Sequence, residues 1–388
     1  MNLKNFRNRA LIMSMLTMSV TYSFAEGLYY DLSSTAGTAD YLLGSRLVEN
    51  ASYSSSALSI SNILSDNSRA YLDISFNKII PFEEYSSSTG ELGLQLRYLE
   101  IKDNQMFAGI YGFLNTYHDT YSYYNSSGFG MYGKWKHYFK ATQLITMGYD
   151  LNFKKFEEVA EASNSEHEIY AIYNQTFRSK TSIKLESGLA LQDFWEQTSV
   201  AGRGRFITST EISDIPSNML VTNELRISQS LGSKLGLTMW LGAQSLLNDI
   251  ADSSSLQDGL DNPFTDRFRW EGPSASTRVL YRLNEKNSFK FVHSYSEKSY
   301  LDVPVYEFDF QTMDYSLIND EFVKLGYDRE DKRNSIQLNW TRSWVPRYDS
   351  WLTNLDLGLG LGLVWNESND ALYDYESMSY NISLSFNN

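Results

Sequence analysis

The chain has 388 residues, no cysteine and a formal net charge of -14 at pH 7. The lack of cysteine excludes disulfides and thiolate metal sites. The acidic balance argues against a nucleic-acid partner, because such proteins neutralise phosphates with lysine and arginine. Aromatic residues make up 15% of the chain, yet its mean hydropathy is -0.38. This combination predicts strands with one apolar and one polar face rather than apolar membrane-spanning helices.

The first 25 residues have the pattern of a secretory signal peptide. Three basic residues precede a short apolar core at residues 10–20, and Ser23 and Ala25 are small residues at the two positions that signal peptidase reads. We therefore predict cleavage after Ala25, which removes three positive charges and changes the net charge from -14 to -17. No Pro-rich or low-complexity linker divides the remainder, so we predict that residues 26–388 form a single domain.

From residue 28 onward, segments of about ten residues alternate apolar and polar side chains, as in a strand with two different faces. In Leu355–Trp365 the apolar residues point one way, and Asp356 and three glycines point the other. The last segment, Glu376–Phe386, repeats the pattern. A period of two excludes a stack of amphipathic helices. The outward set of the last strand is Met378, Tyr380, Ile382, Leu384 and Phe386.

The connections between these segments alternate in length. Residues 102–105 and 140–142 form short connections, whereas residues 196–217 and 247–272 form long ones. A β-sandwich or a β-propeller also has many short strands, but its connections do not alternate strictly between short and long. Alternation is typical of an up-and-down barrel, in which all turns lie at one end and all loops at the other.

With this pattern and the terminal strand E-S-M-S-Y-N-I-S-L-S-F, the chain resembles bacterial outer-membrane β-barrels. The resemblance implies an all-β, transmembrane, up-and-down antiparallel β-barrel with short periplasmic turns and longer extracellular loops. It also implies a location in the outer membrane, contact with outer-membrane lipid and insertion by the barrel-assembly machinery. The last hairpin is similar to that of barrels that export polysaccharide, which implies a periplasmic export partner as one alternative.

The alternating segments number 18, and we predict 16 to 18 strands with 18 preferred. The lower count applies if the first segment, Leu28–Gly37, and the short Val303–Thr312 are not separate strands of the wall. At either number the bore is wide enough for water unless a segment fills it. The long connections 196–217 and 247–272 are candidates to fold inward as constrictions.

In a transmembrane barrel the apolar face of each strand meets lipid and the polar face lines the interior. The alternation therefore predicts an interior with charges of both signs. Rings of such charges can filter solutes by size and charge, and opposite charges on neighbouring strands can also simply pair across the wall. The predicted lumen-lining residues are Glu91, Arg97, Asp150, Lys184, Glu186, Glu224, Arg226, Arg278, Arg282 and Asp356.

No catalytic, metal-binding or cofactor-binding motif stands out in the sequence. It contains no G-x-S-x-G and no H-E-x-x-H, and its four histidines lack metal-ligand spacing. We predict that the protein is not an enzyme and has no cofactor. A barrel hydrolase remains an alternative, because His118 adjoins Asp119 and His167 lies between Glu166 and Glu168 near predicted outer strand ends.

Two functional hypotheses follow from the predicted barrel. The first is a channel through the outer membrane for small solutes or an exported polymer. The second is a structural or surface-interaction barrel, whose loops bind a ligand or partner while its lumen stays plugged. The sequence does not identify the substrate.

Overall fold

The structure of the protein is a computed structural model. It describes residues 28–43, 46–80, 86–101, 103–118, 122, 125–158, 163–195, 198–201, 209–212, 217–247, 267–309, 314–318, 321–345 and 354–387. The predicted signal peptide, residues 1–25, lies outside these ranges. No helix in the described ranges is long and apolar enough to cross a membrane.

Sixteen strands of the described residues form one closed antiparallel barrel. Each strand pairs with the next one along the chain, and the last pairs with the first, so the wall has no open edge. In chain order the strands are β1 Leu28–Leu43, β2 Arg46–Ser65, β3 Ser68–Ile80, β4 Ser87–Ile101, β5 Asn104–Tyr117, β6 Ser126–Lys140, β7 Gln143–Phe156, β8 Asn164–Thr176, β9 Thr181–Phe194, β10 Asn218–Leu231, β11 Leu235–Leu246, β12 Trp270–Arg282, β13 Asn287–Tyr306, β14 Lys324–Trp344, β15 Asn354–Ser368 and β16 Tyr375–Asn387.

The two ends of the barrel differ in most of their connections, as predicted, with two exceptions: residues 44–45 alone join β1 to β2 at the long-loop end, and residues 345–353 join β14 to β15 at the short-turn end. At the short-turn end, only residues 66–67 join β2 to β3 and only residues 141–142 join β6 to β7. At the long-loop end, residues 195–217 join β9 to β10 and residues 247–269 join β11 to β12. Small two-stranded hairpins lie within the long loops, formed by Thr198–Ala201 with Ser209–Ile212, Phe308–Asp309 with Asp314–Tyr315, and Leu317–Ile318 with Glu321–Phe322.

The predicted range of 16 to 18 strands is confirmed at its lower value, and the preferred count of 18 is wrong. The segments Val303–Thr312 and Glu321–Asp328 are not additional wall strands, since residues 303–306 belong to β13 and residues 324–328 belong to β14. These two strands have 20 and 21 residues and continue beyond their neighbours at the long-loop end. They form one long hairpin instead of two short ones.

The misjudged strand count has a physical cause. The charged and polar run at residues 329–334 has the composition of a turn, yet it lies within β14. Asp331 of this run pairs with Lys298 on β13 and with Ser368 on β15. Pairing on both sides satisfies the backbone of the run, so its polar side chains do not end the strand.

The outward face of the barrel is apolar and the chain leaves it uncovered. Leu92 is 63% exposed, Ile110 is 59% exposed and Ile382 is 57% exposed. Residues of the predicted outward sets on other strands, such as Met147 and Leu359, are also exposed. In a water-soluble fold these side chains would form the core, whereas here fully buried apolar residues are few among those described.

The terminal strand β16 closes the barrel. It pairs with β1 from Asp31 opposite Asn387 to Ala39 opposite Ser379, and with β15 from Asn354 opposite Asn387 to Asn366 opposite Tyr375. On its outward face Met378, Tyr380 and Ile382 are exposed. All of its predicted outward residues share this face because they are two positions apart.

Candidate functional site: the barrel lumen

The inward face of the wall is identified by a segment that folds into the barrel from the long-loop end. Residues Arg267–Arg269 form a short 3-10 turn just before β12, which we call the lumen turn. Phe268 at its centre is fully buried and packs against Ala190, Leu220 and Leu246. These three residues come from β9, β10 and β11, so the side of the strands on which they lie is the lumen side.

Polar contacts fix both the side chain and the backbone of the lumen turn. The Arg267 guanidinium donates hydrogen bonds to Glu168 Oε2 at 2.9 Å and to Glu166, both on β8. The Gln244 amide donates to the carbonyl oxygen of Arg267 at 3.0 Å and to that of Trp270 at 2.6 Å. Of the candidate loop 247–272, the described turn Arg267–Arg269 therefore lies inside the barrel, and residues 248–266 lie outside the described residues.

The ten predicted lumen-lining residues lie on the same face as the lumen turn. Cross-strand partners share a face, and Asp150 pairs with Glu168, which binds Arg267. Glu224 pairs with Glu186, and Arg226 pairs with Lys184. Glu224 and Arg226 follow Leu220, a contact of Phe268, by four and six residues, so they point to the same side of the strand. The pairings thus place the predicted set inward, but they distribute it along the wall: six of the ten residues fall in three separate regions, Asp150 lies beside the contacts of Arg267, and three lie near the short-turn end.

The first region is an ion-paired group on β9 and β10. The Lys184 ammonium binds Glu186 on its own strand and lies 4.0 Å from Glu224 on the neighbouring strand. These opposite charges neutralise one another across the wall, as is ordinary for polar groups in a lumen. They still present one basic and two acidic side chains to water.

The second region is a pair of arginines on either side of an indole. The guanidinium carbons of Arg226 and Arg278 lie 5.3 Å and 5.0 Å from the ring centre of Trp240, a lumen-side residue of β11. In the part of the chain that the structure describes, neither guanidinium has an ion-pair partner. The cation–π contacts hold both side chains along the wall while leaving their positive charge available to solutes.

The third region is a cavity of about 790 Å³ on the opposite side of the interior. Glu91 lines it and accepts a hydrogen bond of 2.7 Å from the Tyr71 hydroxyl. Four further charged residues line the cavity, namely Asp31, Asp73, Lys154 and Glu166. Because its lining comes from β1 to β5 and from β7 and β8, the cavity spans about half of the wall.

The remaining predicted residues lie near the short-turn end. Arg97 donates hydrogen bonds to Asn67 Oδ1 at 3.2 Å and to the carbonyl oxygen of Asp66 at 3.1 Å, both in the turn between β2 and β3. Asp356 accepts a hydrogen bond of 3.0 Å from the Asn354 amide. Arg282 ends β12 and is exposed. These three residues are distant along their strands from the lumen turn.

Sequence reasoning missed the tyrosines of the lumen. Tyr71, Tyr111, Tyr132 and Tyr170 each lie directly opposite a glycine of the neighbouring strand, on the lumen face. The sequence does not single out these four, because alternation along one strand does not reveal which residue lies opposite on the next strand. The signal that could have found them is the repeated pairing of an inward tyrosine with an inward glycine in adjacent hairpin strands.

A second site outside the predicted set lies at the rim of the long-loop end. Arg329 on β14 donates hydrogen bonds to both carboxylate oxygens of Asp331, from Nε to Oδ1 at 3.0 Å and from Nη2 to Oδ2 at 2.5 Å. Its guanidinium carbon also lies 4.4 Å from the ring centre of Tyr300 and 3.2 Å from that of Tyr373. The cluster fastens the long hairpin β13–β14 to the loop between β15 and β16.

The environment of His167 separates it from the two carboxylates that the hydrolase alternative would pair with it, whereas Asp119, the neighbour of His118, lies outside the described residues. His167 is on the outward face, where its Nδ1 lies 2.7 Å from the Tyr149 hydroxyl. Glu166 and Glu168 are on the inward face and bind Arg267. Neither of these two carboxylates therefore lies beside His167. Within the described ranges, no group of three or more potential metal ligands is close enough to hold a metal ion.

The fold is similar to that of solved bacterial proteins. The crystal structure of Acinetobacter baumannii OccAB1 matches with a TM-score of 0.52 and 11% sequence identity, over 94% of this chain and 97% of that chain. That of Pseudomonas aeruginosa OccK2 (OpdF) matches with a TM-score of 0.49 and 10% identity, over 94% and 99%. No protein-family model matches the chain, and no curated protein does. The OccAB1 match supports the outer-membrane type of barrel fold.

The lumen turn offers a direct test, because trypsin cleaves after Arg267 and Arg269. Replacing a buried phenylalanine by alanine costs about 3 to 5 kcal/mol, so Phe268→Ala should release the turn from the wall. We expect cleavage at these two arginines to become at least about tenfold faster, as proteolysis follows local opening. Mass spectrometry of timed digests of the folded protein in detergent measures the rates.

The matched control is Phe291→Ala, which removes an outward-facing phenylalanine of β13 that is 38% exposed. It should leave cleavage after Arg267 and Arg269 unchanged. If Phe268→Ala and Phe291→Ala are cleaved at the same rate as the unchanged chain, Phe268 does not hold the turn.

Proposed function

We propose that this chain is a channel that carries small solutes across the bacterial outer membrane. The single observation that carries the proposal is the inversion of polarity across one closed wall, with apolar side chains exposed outside and charged side chains inside. A wall of this kind separates lipid from water and leaves a polar route through the centre. The similar fold of OccAB1 supports the type of barrel.

The outward face supports the membrane part of the proposal. An exposed apolar band around a whole barrel is unfavourable in water, because each apolar side chain loses about 1.5 to 3 kcal/mol of burial free energy. Lipid removes that cost. The closed ladder matters equally, since hydrocarbon offers no partner for an unpaired backbone group. The predicted signal peptide supplies the export that such a location requires.

The interior supports the channel part of the proposal. The lumen turn narrows the bore, but a cavity of about 790 Å³ lies beside it on the wall of β1 to β8. Charge is divided across the bore. Asp73 and Glu91 line the cavity, whereas Arg226 and Arg278 lie on β10 and β12. A solute that passes between these regions meets carboxylates of the cavity on one side and two guanidinium groups on the other.

A second candidate function is a surface-interaction barrel with a closed lumen. One observation favours it: the hairpin β13–β14 continues past its neighbours and is fastened to the adjacent loop by Arg329. A rigid projection of this kind is suited to contact with a partner outside the cell. Conductance separates the two candidates, because a closed barrel does not pass ions.

The membrane assignment predicts that lysine at two neighbouring positions of β16 will change the free energy of unfolding by different amounts. Ile382→Lys places a charge on the outward face and should lower the free energy of unfolding in phospholipid vesicles by about 2 to 4 kcal/mol. Ser383→Lys, the matched control, places the same charge inward and should change it by less than about 1 kcal/mol. Urea titration followed by tryptophan fluorescence measures both. Equal losses for the two variants would contradict the assignment of faces.

The channel assignment predicts stable ion conductance of the purified protein in a planar bilayer. Phe268→Ala should raise the single-channel conductance, because the lumen turn no longer narrows the bore, and Phe291→Ala should leave it unchanged. A protein that migrates as a folded barrel on an unheated gel but never conducts would overturn the channel and favour the surface-interaction barrel.

The divided charge predicts that ion preference can be shifted in either direction. The double variant Asp73→Asn, Glu91→Gln removes negative charge from the cavity side and should move the reversal potential in a salt gradient toward anion preference. Arg226→Gln with Arg278→Gln should move it toward cation preference. Lower salt should enlarge both shifts, since screening weakens. Unchanged reversal potentials in both variants would show that ions do not pass these residues.

A further inference from the structure

A row of tyrosines lies along the lumen wall from β3 to β8. Tyr71 on β3 is directly opposite Gly93 on β4, and Tyr170 on β8 is opposite Gly148 on β7. Between them, β5 and β6 exchange two such pairs, Tyr111 with Gly130 and Tyr132 with Gly109. We call these four residues, Tyr71, Tyr111, Tyr132 and Tyr170, the tyrosine track.

Each tyrosine of the track lies across its neighbouring strand instead of projecting into the bore. A Cβ atom built at Gly93, Gly109, Gly130 or Gly148 would fall on the Cζ and hydroxyl atoms of the opposite tyrosine. The outer end of every ring therefore occupies the space of the missing side chain. One side of each ring is supported by backbone, and its other side is left for the lumen.

The four tyrosines occupy neighbouring places on the wall. Tyr71 and Tyr111 lie on either side of Gly93, and Tyr132 pairs with Gly109, two residues before Tyr111. Tyr132 also pairs with Asp150, which pairs with Glu168, two residues before Tyr170. Tyr111 lines the cavity together with Phe113, so the track is a series of rings along the wall that reaches the cavity.

Hydrogen-bonding groups are interspersed with the rings. Glu91 accepts from the Tyr71 hydroxyl, and Gln95 contacts Tyr132. Ser75, Thr89, Asn115 and Asn152 add hydroxyl and amide groups to the cavity lining. An aromatic surface bordered by carboxylate, amide and hydroxyl groups offers both an apolar platform and many directional partners.

The charges around the track nearly cancel. The inward acidic residues of β3 to β8 are Asp73, Glu91, Asp150, Glu166 and Glu168, and the basic ones are Arg69, Arg97, Lys134, Lys136 and Lys154. Arg267 of the lumen turn adds one positive charge against Glu166 and Glu168. Counted over β3 to β8 with Arg267, five acidic and six basic groups give the strands of the track almost no net charge, whereas the cavity beside the track is lined by four carboxylates and one lysine.

The geometry points to a saccharide-binding track, in which pyranose rings lie on these tyrosines during passage. The C–H face of a pyranose is apolar and packs on an aromatic ring, while its equatorial hydroxyls reach the surrounding carboxylates and amides. An organic cation could also stack on tyrosine, but the balanced charge of the wall favours a neutral solute. This inference deepens the proposed channel function and rests on it for the route of the sugar.

Binding and passage are tested separately. Maltohexaose serves as the neutral saccharide, and spermine serves as the organic cation. Isothermal titration calorimetry on the full chain in detergent measures binding, and the block of ion current in a planar bilayer measures passage. We expect maltohexaose to bind and to interrupt the current, and spermine to do so more weakly.

Two kinds of variant assign the binding to the track. Tyr111→Ser with Tyr132→Ser removes two rings and should weaken maltohexaose binding about tenfold or more, because two of the four stacking surfaces are lost. Gly109→Ala keeps both rings but forces Tyr132 off the wall, and should weaken binding severalfold. The matched control is Gly133→Ala on the same strand as Tyr132, where an added Cβ meets no atom within 4 Å.

The outcomes separate this inference from the channel itself. Maltohexaose binding that the tyrosine variants weaken and Gly133→Ala preserves supports the track. No maltohexaose binding by a folded, conducting protein overturns the track and leaves the channel standing. Tighter binding of spermine than of maltohexaose also overturns it in favour of a cation site. Saccharide binding without conductance retains the track as a surface site and rejects the channel.

Discussion

Backbone pairing around a closed ring is the constraint on which the rest of this structure depends. A strand with an unpaired edge would leave a row of N–H and C=O groups without partners, which costs several kcal/mol per group in hydrocarbon. Pairing of β1 with β16 removes that edge. Once the ring is closed, each strand must present alternate residues to the outside and the inside. The two-faced sequence pattern is therefore a requirement of closure and not merely a preference for strands.

Closure of the ring also creates an interior space, which the chain partly fills. A ring of 16 strands leaves a bore wider than side chains alone can fill. The protein narrows it from one side with the lumen turn, whose Phe268 is the largest fully buried side chain of the described residues. The apolar contacts of that phenylalanine and the ion pairs of Arg267 act together, since the first holds the turn to the wall and the second orients it toward β8. A small apolar core thus exists inside an otherwise polar lumen.

The sequence alone was sufficient for the fold class and for the inward or outward sense of the strands. Alternation is a local property, so segments such as Leu355–Trp365 reveal it without any tertiary information. The length of β13 and β14 was not predictable in this way, because the polar run at residues 329–334 is a strand only through its pairing with both neighbours. The candidate site depends even more on pairing. Lys184 and Glu186 were visible as lumen charges, but the contact of Arg267 with Glu168 joins residues 99 positions apart. The stacking of Arg226 and Arg278 on Trp240 likewise requires three strands in register.

The reciprocal pairs of β5 and β6 also bear on how the hairpin finds its alignment. On β5 the order along the chain is Gly109 then Tyr111, and on β6 it is Gly130 then Tyr132. Among the alignments that keep the same residues facing inward, only the observed one puts both tyrosines opposite glycines. A slip of two residues in one direction would set Tyr111 against Tyr132, and a slip in the other would set Gly109 against Gly130. A slip of one residue would turn the apolar side chains of the slipped strand inward. The same tyrosine rings that line the lumen thus favour one alignment of β5 with β6 while the barrel assembles.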